Sequence, residues 1–558
     1  MGNTSTGRAR RRAPDHKSWR LAAVLEERLA KANENAAAFR EAGSLSYGRI
    51  RRATNGFGAA AHQGGYTMAT KIGVRISARR KRISRAASTA LLVGVLASAG
   101  SPAFSGVTTR VSVDSAGAQA NGLSDRPSIS PEGRYVSFES LASNLVEGDT
   151  NGVADVFVHD RLTREIVRVS VSSAGTQSDN GSAFSSISAD GRCVAFQSIA
   201  TNLVPDDTNG QIDVFVHELQ SGLISRVSVR TGGGQVSVGG GAPAISADGR
   251  YVAFMSPADD LVDDDTNGTW DVFVHDRLTV TTTRVSVASD RTEGNGPSTS
   301  PAISADGRYV AFVSAASNLV LNDTNGVPDV FVHDRETGAT ERVSVDSAGT
   351  EGNNFSGALG SFHNSYLSAD GRYVAFVSAA SNLVLDDTNG VPDIFVHDRE
   401  TGATERVSVD SAGQQSNDVS FFPSISADGR LVAFGSFASN LVLDDTNGVA
   451  DAFVHDRQTR VTSRVSVNSQ DIEGNNHTPT GDDGPEPPAI SADGRYVAFS
   501  SAASNLVPDD TNGWWDVFVR DRNGASLANE LMVGSREEGA RQIFTITPTP
   551  RRTTLLAR

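Results

Sequence analysis

The sequence predicts an all-β protein, a seven-bladed β-propeller with four-stranded antiparallel blades and an N-terminal strand closing the last blade. Three observations carry this expectation. First, the segment I-S-A-D-G-R-Y-V-A-F recurs seven times, with its acidic residue at Glu132, Asp190, Asp248, Asp306, Asp370, Asp428 and Asp493, at steps of 58, 58, 58, 64, 58 and 65 residues. Second, the first six units each hold four short runs rich in β-branched and aromatic residues, separated by Asp-Gly and Asn-Gly turns, the pattern of antiparallel hairpins. Third, a copy of the fourth run, Thr108-Thr109-Arg110-Val111-Ser112-Val113, stands before the first unit, and the seventh unit lacks it. A four-strand unit at this period is a propeller blade. A terminal strand that completes the last blade closes the ring and leaves no open edge.

Residues 1–103 are expected to lie outside this fold. Lys71, Arg75, Arg79, Arg80, Lys81, Arg82 and Arg85 precede an apolar run from Ala86 to Ala99, and small-residue cleavage patterns follow at 97–99 and 101–103. That order is a secretory signal peptide, with an apolar run too short to span a bilayer. Because signal peptides begin proteins, Met68 is the expected initiator, residues 1–67 an extension and residues 68–103 the signal peptide. Export would then place the mature chain in the periplasm or outside the cell.

The propeller is expected over residues 104–533. In the fourth unit strand a is Pro301–Ser304, Ala305-Asp306-Gly307 turns the chain, and strand b is Arg308–Ser314. An insert with Asn322-Asp323-Thr324-Asn325-Gly326 leads to strand c, Asp329–Asp334. The turn Glu336-Thr337-Gly338 then leads to strand d, Thr340–Val345. Residues 304–349 and 368–413 differ only at Asn322/Asp386 and Val330/Ile394, which implies a late internal duplication. The seventh unit keeps strands a to c, with Glu530-Leu531-Met532-Val533 a weak substitute for its fourth strand, and residues 534–558 read as a tail.

Charge divides along the same boundary. Residues 1–103 carry 19 Lys+Arg against 5 Asp+Glu, whereas residues 104–558 carry 31 against 60, a net −29. A body of that charge is a poor partner for nucleic acid or an anionic membrane surface, since phosphate neutralisation needs basic patches. The single cysteine, Cys193, sits where other units have Tyr135, Tyr251 or Tyr309; it excludes an intramolecular disulfide and a cysteine zinc cage.

The repeated S-A-D-G-R-Y-V-A-F and D-V-F-V-H-D segments, and Ser130-Pro131-Glu132-Gly133-Arg134 above all, resemble the TolB-type propeller repeat, a relative of the WD-type repeat. The resemblance covers residues 104–533 and implies a propeller that binds partner proteins or small ligands in an export compartment. The chain departs from the family in three ways. TolB-like propellers commonly have six blades, no companion α/β domain is visible here, and the b–c loop is enlarged into an acidic insert. A fold alone does not carry the family's role across.

In an up-and-down blade the b–c and d–a connections share one face, and binding groups usually sit on loops carried by a rigid scaffold. All seven inserts read D-T-N-G-x-x-D, namely Asp149/Asn151/Asp155, Asp207/Asn209/Asp213, Asp265/Asn267/Asp271, Asp323/Asn325/Asp329, Asp387/Asn389/Asp393, Asp445/Asn447/Asp451 and Asp510/Asn512/Asp516. With the Gly at position 6 of a calcium loop these occupy positions 3, 5 and 9, an oxygen-rich pattern that suits Ca²⁺. Position 1 is a carboxylate only at Glu147 and Asp263, being Leu321, Leu385, Leu443, Pro205 or Pro508 elsewhere, and no Glu stands at position 12. Any calcium affinity would therefore be weak, ~10⁻⁴–10⁻³ M, with the third blade (Asp263, Asp265, Asn267, Asp271) the best candidate. The same residues also have a structural reading, because Asp and Asn form Asx-turns and Asn-Gly is a hairpin turn.

The histidines of F-V-H-D (His159, His217, His275, His333, His397, His455) are expected to cap strand c against the D-G-R turn rather than bind metal. Catalysis would require unlike residues, and non-repeated groups do exist. His363 and His477 lie in the two longer connections, the latter near an Asp482-Asp483-Gly484-Pro485-Glu486 run, and Trp270, Trp514 and Trp515 lie in inserts. These could serve a glycan site, with carboxylates as acid and base, or be surface decoration. No G-x-S-x-G, H-E-x-x-H or P-loop is present. Two functions follow: an exported, monomeric, non-enzymatic scaffold that binds a protein or glycan through its acidic face, and alternatively a secreted carbohydrate-active propeller, lyase or hydrolase. Near-identity of the fourth and fifth units favours the first.

Overall fold

The computed structural model describes residues 106–357, 366–476 and 488–524. The leader, the signal segment, His363, His477, the 482–486 run and the tail lie outside the described residues. Within them every regular element is a strand, and no helix is long and apolar enough to cross a membrane.

Seven antiparallel sheets form the blades, ordered a-b-c-d. In blade 5 the described part of strand a consists of two bridges to strand b, Ser356↔Ser378 and Leu367↔Val374. Blade 1 comprises strands Ser124–Ile129, Tyr135–Ser140, Asp155–Asp160 and Ile166–Arg168. In blade 4, strand c spans Asp329–Asp334 as predicted, but strand a spans Ser298–Ile303, strand b Tyr309–Ser314 and strand d only Thr340–Arg342. Strand a begins earlier because it crosses a bulge between Thr299 and Ala302. The equivalent bulge in other blades puts Arg126, Phe184, Ala242 and Phe422, like Ser300, at φ of 44° to 56°. A non-glycine residue there gives no sequence signal.

The ring closes as expected. Val107–Arg110 pairs antiparallel with Asp516–Asp521 in the register Val107↔Asp521 to Arg110↔Phe518, and so serves as strand d of blade 7. A second closure runs through the a–b turns. The backbone N–H of Ala189 donates to Ala247 O, and the chain of bonds continues through Ala305, Ala369, Ala427 and Ala492 to Pro131 O, at 2.9–3.1 Å. Pro131 has no N–H, so the circle has one open link, between blades 1 and 2.

Packing repeats with the sequence. Every blade buries one Phe from strand b against one from strand c, such as Phe138 and Phe157 or Phe312 and Phe331, with ring centroids 5.9–6.0 Å apart. Valines of adjacent blades fill the layer between them: Val214 and Val216 of blade 2 share a cluster with Val252 and Phe254 of blade 3. The D-G-R glycine is required twice over. Gly133 has φ +70°, and a Cβ on it would collide with the Tyr496 ring of the neighbouring blade.

The d–a connections depart from the expected placement. Instead of lying wholly on the b–c face, each forms a small hairpin closed by a bridge, such as Val229↔Gln235. Its tip straps the outer strand of the next blade. Ser115, Ser173, Thr231, Ser289, Ser347, Ser411 and Ser469 accept, through their hydroxyls, the backbone N–H of Ile166, Ile224, Thr282, Thr340, Thr404, Thr462 and Thr108 at 2.9–3.2 Å. The strap occupies an edge donor that would otherwise face solvent.

Candidate binding face

The acidic insert divides into a buried latch and an exposed tip. In blade 3 the latch centres on Arg284, from the R-V-S-V strand. Its Nη1 lies 3.4 Å from Asp265 Oδ1, 4.0 Å from Asp271 Oδ2 and 2.6 Å from Glu293 Oε1, and its Nη2 donates to Asp264 O at 2.9 Å. Asn267 donates through Nδ2 to Asp271 Oδ2 at 2.7 Å and to Gly294 O at 3.0 Å, while its Oδ1 accepts the Thr269 N–H at 2.8 Å. The hydroxyl of Ser286, next but one after the arginine, donates to Asp271 Oδ1.

The arrangement recurs in every blade. Arg110 sits between Asp510 and Asp516, Arg168 between Asp149 and Asp155, and Arg226 between Asp207 and Asp213. Arg342 joins Asp323 and Asp329, Arg406 joins Asp387 and Asp393, and Arg464 joins Asp445 and Asp451, all at 3.2–3.6 Å. The sequence-predicted Asp/Asn/Asp sets therefore do converge, but on a guanidinium.

The asparagines serve the turn and the latch. Position 5 of a calcium loop would turn the amide oxygen toward a cation; in the described structure each asparagine bonds within the protein. Asn151, Asn325, Asn389, Asn447 and Asn512 donate through Nδ2 to Asp155, Asp329, Asp393, Asp451 and Asp516 at 2.7–2.9 Å. Their Oδ1 atoms accept the backbone N–H two residues on, from Val153, Val327, Val391, Val449 and Trp514, at 2.9–3.3 Å. Asn209 keeps the turn, accepting the Gln211 N–H at 3.0 Å, and donates to Val236 O at 3.1 Å. The reason is chemical: an amide that donates to the strand c carboxylate closes an Asx-turn with its other end. Both ends are then committed within the protein.

The position-1 carboxylates, Glu147 and Asp263, are exposed at the tip and stand outside the groups that close on the arginine. Three groups bring three carboxylate oxygens within 4.8 Å of one another: Asp265/Asp271/Glu293, Asp323/Asp329/Glu351 and Asp445/Asp451/Glu473. A divalent cation there would have to displace an arginine whose side chain is at most 9% exposed. Each group could hold a metal ion, and the three carboxylate oxygens supply part of the six to eight that Ca²⁺ takes.

Sequence reasoning misses the arginine and the third carboxylate. Both signals are present: every unit carries the R-V-S-V arginine, and nine residues further on stands Glu in blades 3, 4 and 6 but Gln119, Gln177, Gln235 or Gln415 in the others. Burial, the neighbouring carboxylate and the added Glu push Asp265 up to about 7; burial and the same neighbours push Asp323 and Asp445 up to about 6. Of the Gln blades, blades 1, 5 and 7 raise Asp149, Asp387 and Asp510 through burial and the strand c Asp, while in blade 2 burial raises Asp207 and pushes the strand c Asp213 up to about 6.

The histidines also find different partners from those expected. The D-G-R turn is held by the Asp that ends strand c in six blades: Arg250 Nε and Nη2 donate to Asp276 at 2.9 and 2.7 Å, with the same fork at Arg134–Asp160, Arg308–Asp334, Arg372–Asp398, Arg430–Asp456 and Arg495–Asp521. The histidine instead meets strand d, His275 Nδ1 lying 2.9 Å from Thr282 Oγ1, with the same pair at His333–Thr340, His397–Thr404 and His455–Thr462. In blades 1 and 2 the paired residue is Ile166 or Ile224, and Nδ1 of His159 and His217 is buried without a partner. Burial pushes His159, His275 and His333 down to about 4, so they are neutral at pH 7. Blade 2 departs further: Glu218 replaces the Asp and pairs with Arg277 of blade 3 at 2.7 Å, and Arg277 also reaches the Cys193 sulfur at 3.5 Å.

The tip residues remain for solvent. Exposed carboxylates stand at Glu147, Asp206, Asp263, Asp264, Asp386, Asp444 and Asp509. Leu321, Leu385 and Leu443 are 90–94% exposed, Trp270 39% and Trp514 50%; Trp515 is half-buried, and its carbonyl accepts the Ser124 N–H. Leu141, Ile199 and Ile212 are exposed to a lesser degree.

A closed seven-bladed propeller with a decorated b–c rim is the class of protein this defines. No protein-family model matches the chain, and no curated protein matches it. Among solved structures it is similar to an oligogalacturonate lyase in complex with manganese, at 13% identity and TM-score 0.46, over 74% of this chain and 92% of that one. It is also similar to TolB from Acinetobacter baumannii, at 17% identity and TM-score 0.33, over 61% of this chain and 62% of that one. The β-propeller domain of the Trilobed protease from Pyrococcus furiosus matches at 8% identity and TM-score 0.42, over 73% and 99% of the two chains. Likenesses at this level carry the fold alone.

Proposed function

We propose that the chain is an exported, monomeric, TolB-type binding propeller that engages a protein or glycan partner through its b–c rim and does no chemistry of its own. One observation carries this reading. The invariant acids of the rim are consumed by buried arginines, so what the rim offers a partner is its variable tip of carboxylates, leucines and tryptophans. None of the described histidines stands beside a free carboxylate in an acid–base pair; each is buried and neutral or bonded to a threonine. The face therefore supplies contact area and charge rather than a proton relay. Calcium enters this proposal only as a competitor for Arg284, Arg342 and Arg464 in blades 3, 4 and 6, where three carboxylates meet.

A glycan array and a protein-binding screen, run beside a reducing-sugar assay, test the proposal. Binding without turnover is the expected result. Turnover that disappears on substituting His363 or His477 would overturn it in favour of a carbohydrate-active enzyme. A calorimetric titration with millimolar Ca²⁺ is expected to give no heat and no melting shift, since the three arginines already neutralise the sites.

A further inference from the structure

Within the binding reading just proposed, on which this inference rests, the rim is not uniform. Blades 4, 5 and 6 place Leu321, Leu385 and Leu443 at the same tip position, each 90–94% exposed, where the other four blades have Pro205, Pro508, Glu147 or Asp263. Blades 3 and 7, which flank that arc, present Trp270 and Trp514. A fully solvated leucine at one position is ordinary surface, but the same residue on three consecutive blades, bounded by two exposed indoles, is a repeated apolar feature. Trp is among the residues most enriched at binding hot spots. The leucines are set among exposed carboxylates: Asp386 and Asp444 follow Leu385 and Leu443 directly, and Asp263, Asp264 and Asp509 stand on the flanking blades.

We infer that the arc from blade 3 to blade 7 is a multipoint docking surface for a protein whose contact face carries basic side chains around apolar ones. Charge decides the occupant. An anionic lipid surface or a second copy of this acidic chain would meet like charge around the arc, whereas Lys or Arg would meet Asp among the leucines. Three equivalent contacts on a rigid ring also let weak single-blade interactions add through effective concentration.

The test uses the full chain and the triple variant L321S/L385S/L443S, with P205S, at the same tip position of blade 2 outside the arc, as the control. Labelled amphipathic peptides are the probes: one Lys/Leu, one Lys/Ser and one Glu/Leu, with anisotropy as the readout. The Lys/Leu peptide is expected to bind, to weaken with salt, and to lose at least ~10-fold affinity (about 1.4 kcal/mol) in the triple variant but not in the control. The Lys/Ser peptide is expected to bind more weakly and to be indifferent to the substitutions. Glu/Leu is expected not to bind, and binding as tight as that of Lys/Leu overturns the charge argument. Melting temperatures of the variants and the parent should agree, which separates lost docking from lost folding. Equal binding of Lys/Leu by parent and triple variant overturns the inference while leaving rim binding in place. Leucine-dependent binding to neutral lipid vesicles, or leucine-dependent self-association on sedimentation, overturns it in favour of those occupants. No binding of any probe, with ligands from the glycan and protein screen unaffected by the triple variant, overturns the arc alone; failure of that screen as well overturns the binding reading.

Discussion

The latch and the tip of each insert are neighbours in sequence and opposites in physics. In blade 5, Asp387 and Asp393 are turned inward onto Arg406, the latter fully buried, while Leu385 and Asp386 a residue or two earlier stand in solvent. The Asp–Arg–Asp centre of the latch is built alike in all seven blades and the tip is not. In a repeat protein, what recurs in every unit serves what every unit must do, which is to fold and to join its neighbours. D-T-N-G-x-x-D reads as seven ligand sites because it recurs, and the recurring Asp–Arg–Asp contact gives the same residues a part in the architecture.

The sharpest way to break that comparison is to cut a latch. Asp271→Ala takes from the latch a fully buried carboxylate that accepts the Asn267 amide and the Ser286 hydroxyl, and hydrogen bonds to a charged group contribute about 1.5–3 kcal/mol each. Thermal or urea unfolding of D271A against wild type measures it. A loss below ~1 kcal/mol would mean the strand c carboxylate is dispensable and make the insert a ligand site again. Arg284→Met, which removes the cation and leaves the carboxylates, is the complementary variant and is expected to be the one that gains Ca²⁺ affinity.

A smaller contrast separates latches that contain Glu from those that contain Gln. Asp265 is raised to about 7, and Asp323 and Asp445 to about 6. A carboxylate whose pKa is raised on folding holds its proton in the folded state while the unfolded chain has lost it. Its contribution to stability is therefore fully present below the ordinary value of 3.8 and is lost as pH rises from there through the folded value. From about pH 4 to pH 7 these three groups should progressively lower the melting temperature. E293Q/E351Q/E473Q converts the three latches to the Gln form, in which Gln177 already shows the required geometry with Thr150, accepting its N–H at 3.2 Å and donating to its hydroxyl at 2.7 Å. Differential scanning fluorimetry across that range should show a flatter profile for the triple variant. An unchanged profile would mean the Glu charge does not raise its neighbours.

Legibility in the sequence follows the range of the interaction. The blade count, strand c and the closing strand are readable because a 58-residue period and Asp-Gly turns are local signals repeated seven times. Arg284 is not, because it lies 13 residues beyond Asp271 and 19 beyond Asp265, and no periodicity links positions across a hairpin. The asparagines of the inserts show the same limit: Asn151 or Asn512 is as good a calcium ligand as an Asx-turn residue until the carboxylate it donates to is known. The bulge at Ser300 is invisible for want of a glycine. The histidines escape because His and Asp are adjacent on strand c, and adjacent strand residues point to opposite faces. The pairing of His275 with Thr282 is cross-strand information.

That pairing supplies a prediction of about 1 kcal/mol. Ile224→Thr in blade 2 gives the unpartnered His217 the hydroxyl its counterparts have, and a net hydrogen bond contributes about 0.5–1.5 kcal/mol. Unfolding of I224T should show stabilisation, while Thr340→Ile in blade 4 should cost a similar amount by orphaning His333. If both variants destabilise, the isoleucines of blades 1 and 2 are packing residues in their own right and the His–Thr bond is incidental.

The smallest stability effect belongs to the tip, and its smallness is what gives it force. Leu385→Ser removes a side chain that is 90% exposed, so stability should move by less than about 0.5 kcal/mol. Set against the several kcal/mol expected of D271A, that ratio separates the half of the insert that builds the propeller from the half free to vary without penalty. A destabilisation of L385S comparable to D271A would erase the distinction. A neutral result leaves binding as the property on which substitutions at Leu321, Leu385 and Leu443 can still register, because a residue with no role in folding can change between blades only in what it presents to something outside them.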